Sequence, residues 1–177
     1  LDVLVDFRTF AGTKVMLRDL NAGWDLLEFA VGSGTATGLT LTNGSLLSSI
    51  SALQGPATPT RTFSFDGMSK INGKEFDMDR IDFTVQRGQV ERWRFTTNGN
   101  APHPVHVHGA SFQVVSRSGG RGRLFPWEGG WKDTVLLKDN ETVDVLIRFD
   151  AFPGRYIMHC HKLEHEDMGM MSNFEVV

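Results

Sequence analysis

The single cysteine and all six histidines of this 177-residue chain fall in two short stretches. The first is His103-Pro104-Val105-His106-Val107-His108-Gly109. The second spans residues 159–171 and reads HCHKLEHEDMGMM. Two histidines and a cysteine in a trigonal arrangement, with a weak axial methionine, make a blue copper electron-transfer site. Cys160, His165 and Met170 are spaced C-x4-H-x4-M, so one loop can curl around one ion. His103, on a neighbouring strand, supplies the second imidazole. Met168 and Met171 lie close by; spacing favours Met170 as the axial ligand and leaves the other two as packing residues. Isolated histidines are commonly core or surface residues, but here all six fall in two motifs, with the only cysteine among them. A structural zinc site wants four Cys or His ligands in tight clusters, usually with more than one cysteine. One cysteine flanked on both sides by histidine fits copper better.

The remaining four histidines form two H-x-H pairs, His106/His108 and His159/His161. On a strand, residues i and i+2 share a face. Each pair therefore projects to one side, and Cys160, between His159 and His161, projects to the other. One strand is thus expected to touch two metal sites, with a short covalent path from the thiolate to the imidazoles beyond it.

The elements that must carry these residues read as strands. Residues 1–7 alternate Leu1, Val3, Val5 and Phe7 with Asp2, Leu4 and Asp6; residues 15–17 and 24–31 give two further candidates. From Arg61 onward short strands dominate: 63–65, 81–85, 90–95, 112–115, 134–137, 143–149 and 156–158, with turn signals at Asn72-Gly73 and Arg87-Gly88. Many short strands separated by turns indicate an all-β sandwich or barrel. No long helical period is present, although residues 45–53 carry a weak one. Residues 32–60 are rich in Gly, Ser and Thr and read as a linker.

Composition adds exclusions. Apolar residues make up 40% and charged residues 22%, as in a soluble globular protein, and the net charge of −3 points to neither nucleic acid nor an anionic membrane as partner. No apolar run approaches the roughly 18 residues of a spanning helix. One cysteine allows no intrachain disulfide, so the redox compartment is not legible from cysteine usage. The chain begins at Leu1 in a strand pattern, without a leader, and the natural start is expected to lie upstream. Residues 1–20 align without a gap with residues 143–162, matching Asp2 to Asp144, Phe7 to Phe149, Gly12 to Gly154 and Met16 to Met158. Leu17, Arg18 and Asp19 then stand where His159, Cys160 and His161 stand. The expectation is the end of one β domain without ligands (1–31), the linker (32–60), and a complete related domain with ligands (61–177).

The two motifs resemble those of the multicopper oxidases, enzymes of the laccase kind built from cupredoxin domains. The second motif is most similar to the bacterial three-domain enzymes of the copper-efflux and spore-coat laccase type, as are the stretches KINGKEFDMDRIDFTVQRGQVERWRF and GWKDTV. The resemblance runs from about residue 65 to the C-terminus, and the opening LDVLVDF is similar to the end of the family's copper-free middle domain. It implies a cupredoxin-like Greek-key β-sandwich. It further implies a type 1 copper on His103, Cys160, His165 and Met170, a type 2 copper on His106, and a type 3 pair on His108, His159 and His161. The trinuclear cluster of the family uses eight histidines, so four more would come from an N-terminal remainder of the same enzyme. Glu166 matches a carboxylate that relays protons to that cluster, and Cys160 and Glu166 are the residues expected to serve turnover. A periplasmic or extracellular location is implied as well. The methionine-rich insert of the efflux oxidases is missing, and Gly99 sits where some of them have an acid, so a dedicated cuprous oxidase is not expected.

The function expected is therefore one-electron oxidation of a small reducing substrate, entering by the edge of His165 or His103, coupled to reduction of dioxygen to water. A simple blue copper carrier would need neither H-x-H pair. A copper nitrite reductase would carry fewer histidines beside the cysteine.

Overall fold

A computed structural model of the protein describes residues 4–34, 38, 41–42, 45, 48–97, 99, 101–150 and 152–177. The chain divides into two compact units, Leu1–Ser48 and Ser49–Val177.

The first unit contains an antiparallel hairpin of β1 (Lys14–Arg18) and β2 (Asp25–Ala30). Val15 faces Phe29 and Leu17 faces Leu27 across the ladder. The Asp19 carboxylate accepts the backbone N–H of Asn21 and Ala22 at 2.8 and 2.9 Å and so fixes the turn. Of the strand expected at residues 1–7, none is formed over the described residues 4–7. Its first three residues lie outside the described ones, and residues 4–7 have no partner strand among those described. Alternation makes a strand only where a neighbour completes the hydrogen bonds. Here Asp6 takes the Arg8 N–H at 3.0 Å, and Arg8–Phe10 form a single 3-10 turn.

The second unit is a sandwich of two sheets. Its strands are β3 (Arg61–Asp66), β4 (Lys70–Ile71), β5 (Phe83–Val85), β6 (Val90–Thr96), β7 (His103–Val107), β8 (Phe112–Gly119), β9 (Trp131–Lys132), β10 (Thr134–Leu137), β11 (Glu141–Arg148), β12 (Gly154–Cys160) and β13 (Met171–Val176). One sheet runs β10-β7-β12-β13-β5 and the other β4-β3-β6-β11-β8-β9. Period-two burial in β6 sends Trp93 and Phe95 inward while Arg92 and Arg94 stay at the surface side. Trp93 ties the sheets together. Its ring lies 5.1 to 5.8 Å from those of Phe63, Phe83, Phe149 and Phe174, drawn from both layers. Full burial of each such ring contributes roughly 2–3 kcal/mol.

β11 is buried on both faces, which the sequence pattern alone does not explain. Val143, Val145 and Ile147 face the core; on the other face Asp144 is covered by Arg92 and Arg94, and Leu146 lies against Gly55 of the segment 49–60. This segment, read above as the second half of a linker, lies along the sheet. Gln113 accepts the Leu53 N–H and donates to the Ser51 carbonyl, at 2.8 and 2.9 Å, and Arg92 donates to the Ala57 carbonyl at 3.0 Å. Gly55 sits so close that a Cβ there would meet Leu146 at 2.7 Å and Val90 at 2.8 Å. The compact unit therefore starts at Ser49, ahead of the expected residue 61. The weak helical period at 45–53 forms no helix among the described residues. Burial alone would raise the Asp144 carboxyl, but hydrogen bonds from Arg94 and Arg92 outweigh it and hold the group below its usual range. One helical turn, α1 (Leu163–Asp167), falls inside the second motif.

Candidate metal centre

The site is set by the pairing of β7 with β12. His159 stands opposite His106, and Cys160 opposite Val105. Side chains alternate from that register. His103, Val105 and Cys160 point into the sandwich, and His106 and His159 point away from it. The Pro104 carbonyl accepts the His161 N–H at 2.7 Å and carries the ladder one residue further, and the Ile157 carbonyl accepts that of His108 at 3.0 Å. The two-faced strand expected from H-C-H is formed.

Beyond Cys160 the chain closes on itself. α1 brings His165 round, the Met170 N–H bonds to the His165 carbonyl at 2.9 Å, and the Cys160 N–H bonds to the Met170 carbonyl at 3.1 Å. His103, Cys160, His165 and Met170 are all fully buried. The Cys160 Sγ lies 3.7 Å from His103 Nδ1 and 3.5 Å from His165 Nδ1, and the two Nδ1 atoms are 3.1 Å apart. A point equidistant from the three is about 2.0 Å from each, the length of a first-row metal–nitrogen bond. The donor set fits a type 1 copper. Burial lowers the His103 imidazole to about 4, helped by the facing His165; burial likewise lowers His165, and raises the Cys160 thiol. Both imidazoles are thus neutral donors at pH 7, and a cation would take the place of the thiol proton.

On the other face His106, His108 and His159 offer ring nitrogens within 4.8 Å of one another. His161 adjoins them, its ring 5.2 Å from that of His106 and 4.9 Å from that of His159, with its side chain half exposed. His108 Nε2 and His159 Nε2 approach to 3.1 Å. The outer nitrogens are tethered. His159 Nδ1 donates to the Cys160 carbonyl at 3.1 Å, and His106 Nδ1 donates to the Asp133 carbonyl at 2.8 Å. A carbonyl only accepts, so both rings carry the proton on Nδ1 and leave Nε2 free. Burial lowers the His108 and His159 imidazoles; the neighbouring imidazole His106 reinforces this for His108, while the Cys160 carbonyl and Glu166 oppose it for His159. Glu166 Oε2 stands 3.7 Å from His159 Nδ1 and 3.9 Å from His161 Nδ1. A cavity of about 450 Å³ opens beside His106, His108 and Asp133. At Gly109, with φ +82°, the Tyr156 ring occupies the space of a side chain: a Cβ would meet it at 2.5 Å.

Two sequence readings need correction. His103 and His165 were expected to present an edge to substrate, but both rings are fully covered and their Nε2 atoms are buried without a partner. Met168, read as packing, is 54% exposed, because it follows the last turn of α1 on its solvent side. Sequence reasoning also assigned no role to Asp133 and Thr134. The GWKDTV stretch that contains them was the signal, and their function depends on β10 lying beside β7.

Residues 50–177 match the family model described as multicopper oxidase. Bilirubin oxidase of Albifimbria verrucaria is 35% identical over 98% of this chain and 34% of its own length. The laccase of Bacillus subtilis is 27% identical over 99% of this chain and 40% of its own. A solved multi-copper oxidase of Pediococcus acidilactici superposes with a TM-score of 0.82 at 34% identity, over 94% of this chain and 35% of that one. The chain spans about a third of the length of the relatives it matches. With a cupredoxin-like sandwich, a donor set suited to copper and these relatives, the chain belongs to the multicopper oxidase family.

Proposed function

We propose that this chain is the C-terminal part of a laccase-like oxidase that couples one-electron oxidation of a small substrate to four-electron reduction of dioxygen to water. The observation that carries the reading is the end of β12: Cys160 faces one group of donors, while its backbone neighbour His159 belongs to the other and its neighbour His161 adjoins that group. Copper held on these donors would supply the one-electron acceptor on one face and the dioxygen-reducing centre on the other. His103, Cys160 and His165, with Met170 as axial thioether, would hold the first ion. His106 would hold a type 2 ion, and His108, His159 and His161 would contribute to a type 3 pair. The Cys160–His159 and Cys160–His161 peptide links give electrons a covalent route. Glu166, set between His159 and His161, would hold and deliver protons there.

The group on the open face offers four imidazoles, and an N-terminal remainder of the enzyme would add four more. That the chain spans only about a third of its relatives supports this. Residues 1–31 would then be the end of a ligand-free middle domain and the segment from Ser49 the copper-binding domain. A periplasmic or extracellular location goes with the same reading. Zinc is disfavoured, since the buried group offers only three strong ligands where a structural zinc takes four. A blue copper carrier leaves the four-imidazole face without a role, and a nitrite reductase, with one further mononuclear copper, would not carry both His159 and His161 beside Cys160.

The deciding experiment is copper stoichiometry with dioxygen uptake on the intact enzyme. Four coppers and water as product are expected. A single copper per chain with no dioxygen uptake would overturn the proposal in favour of the carrier.

A further inference from the structure

His106 is held in a way no other imidazole of the site is. Thr134 stands directly opposite it across the β10–β7 ladder, so the two side chains share a face. His106 Nδ1 lies 2.8 Å from the Asp133 carbonyl and 3.1 Å from Thr134 Oγ1. One N–H is thus shared between a backbone and a side-chain acceptor. The carbonyl alone fixes the tautomer, but a single acceptor leaves the ring free to swing about that one bond. A second acceptor from the facing strand fixes the ring plane and with it the direction of the Nε2 lone pair. We infer that Thr134 is a positioning residue: its hydroxyl aims His106 Nε2 at the point where this imidazole meets its ion.

The inference rests on the proposed role of His106 as a copper ligand. It also gives the short β10 a purpose beyond sheet pairing, since the loop before it is clamped. Arg117 and Arg121 both bind the buried Glu141, and Arg117 also pairs with Glu128 in that loop. The carbonyl and hydroxyl that receive His106 are therefore carried on a fixed strand end.

The test is made on the intact, copper-loaded enzyme with Thr134→Val, Thr134→Ser and His106→Ala. Valine keeps the shape and strand preference of threonine and removes only the acceptor. Loss of an outer-sphere partner weakens metal binding by about 10–100-fold, and with the carbonyl retained the lower end is expected, about tenfold. It is read as release of one copper at a lower chelator concentration and as altered hyperfine splitting of the EPR signal from the non-blue copper, with the blue absorption unchanged. Thr134→Ser should restore both. Unchanged affinity and EPR in Thr134→Val, beside a copper-depleted His106→Ala, would overturn the inference alone. So would a defect that serine does not rescue, which would trace to the methyl group. His106→Ala that keeps every copper would remove the ligand assignment and the inference together.

Discussion

The two donor groups on β12 are separated by one peptide bond yet differ in almost every physical respect. The Cys160 group is dry: its four side chains are fully buried, its imidazoles converge through Nδ1, and one short loop closes it. The His106–His159 group is more open: His108 and His161 are exposed although His159 is buried, His108 and His159 turn Nε2 toward one another, and a cavity lies alongside. A one-electron site gains from being sealed and rigid, because nothing has to enter or leave except an electron. The open face is the one that the proposed N-terminal remainder, with its four histidines, would cover. The contrast shows how alternation along a single strand can give one chain both environments.

Cys160→Ser would break the comparison outright. The alcohol replaces the thiolate that supplies both the blue absorption and the first bond of the electron route, so colour and turnover are both expected to vanish. A variant that stays blue would sink the sealed-site assignment. Glu166→Gln probes the open side. If the carboxylate hands protons to that face, reoxidation by dioxygen should slow by roughly a hundredfold while reduction of the blue centre is little changed, as stopped-flow traces of the two half-reactions will tell. Equal slowing of both would make Glu166 structural.

Met170→Leu sharpens the sealed side. A thioether is a weak donor, so its loss should leave copper bound and disfavour the oxidised ion, raising the potential by on the order of 60 mV, a tenfold one-electron step. No shift, or loss of the ion, would count against Met170. The smallest effect is one of pH on the metal-free protein. His103 has a folded value near 4 against an ordinary 6.5, so below 6.5 the unfolded chain takes a proton that the folded chain refuses. Stability is full above 6.5 and should fall between pH 6.5 and 4, visible as a declining Tm. His103→Gln should make that slope shallower, leaving the part that the likewise lowered His165, His108 and His159 contribute, and an equal slope in the variant would assign it to those groups alone.

The spacing C-x4-H-x4-M and the H-x-H pairs are local, so the sequence by itself determined that Cys160, His165 and Met170 share one loop and that each H-x-H pair shares one face. Backbone geometry fixes that a strand alternates and that a ten-residue loop returns. It likewise determined the strand-rich class, since alternation and turn residues act over a few positions. Only the tertiary structure decided what depends on distant partners. Residues 4–7 alternate like a strand but have no partner strand among the described residues, while residues 49–60 look like a linker but pack against Leu146. The sealing of His103 and His165, and the pairing of Thr134 with His106, join segments dozens of residues apart. No local pattern encodes such contacts, because they exist only once two sheets have packed and set the register between them.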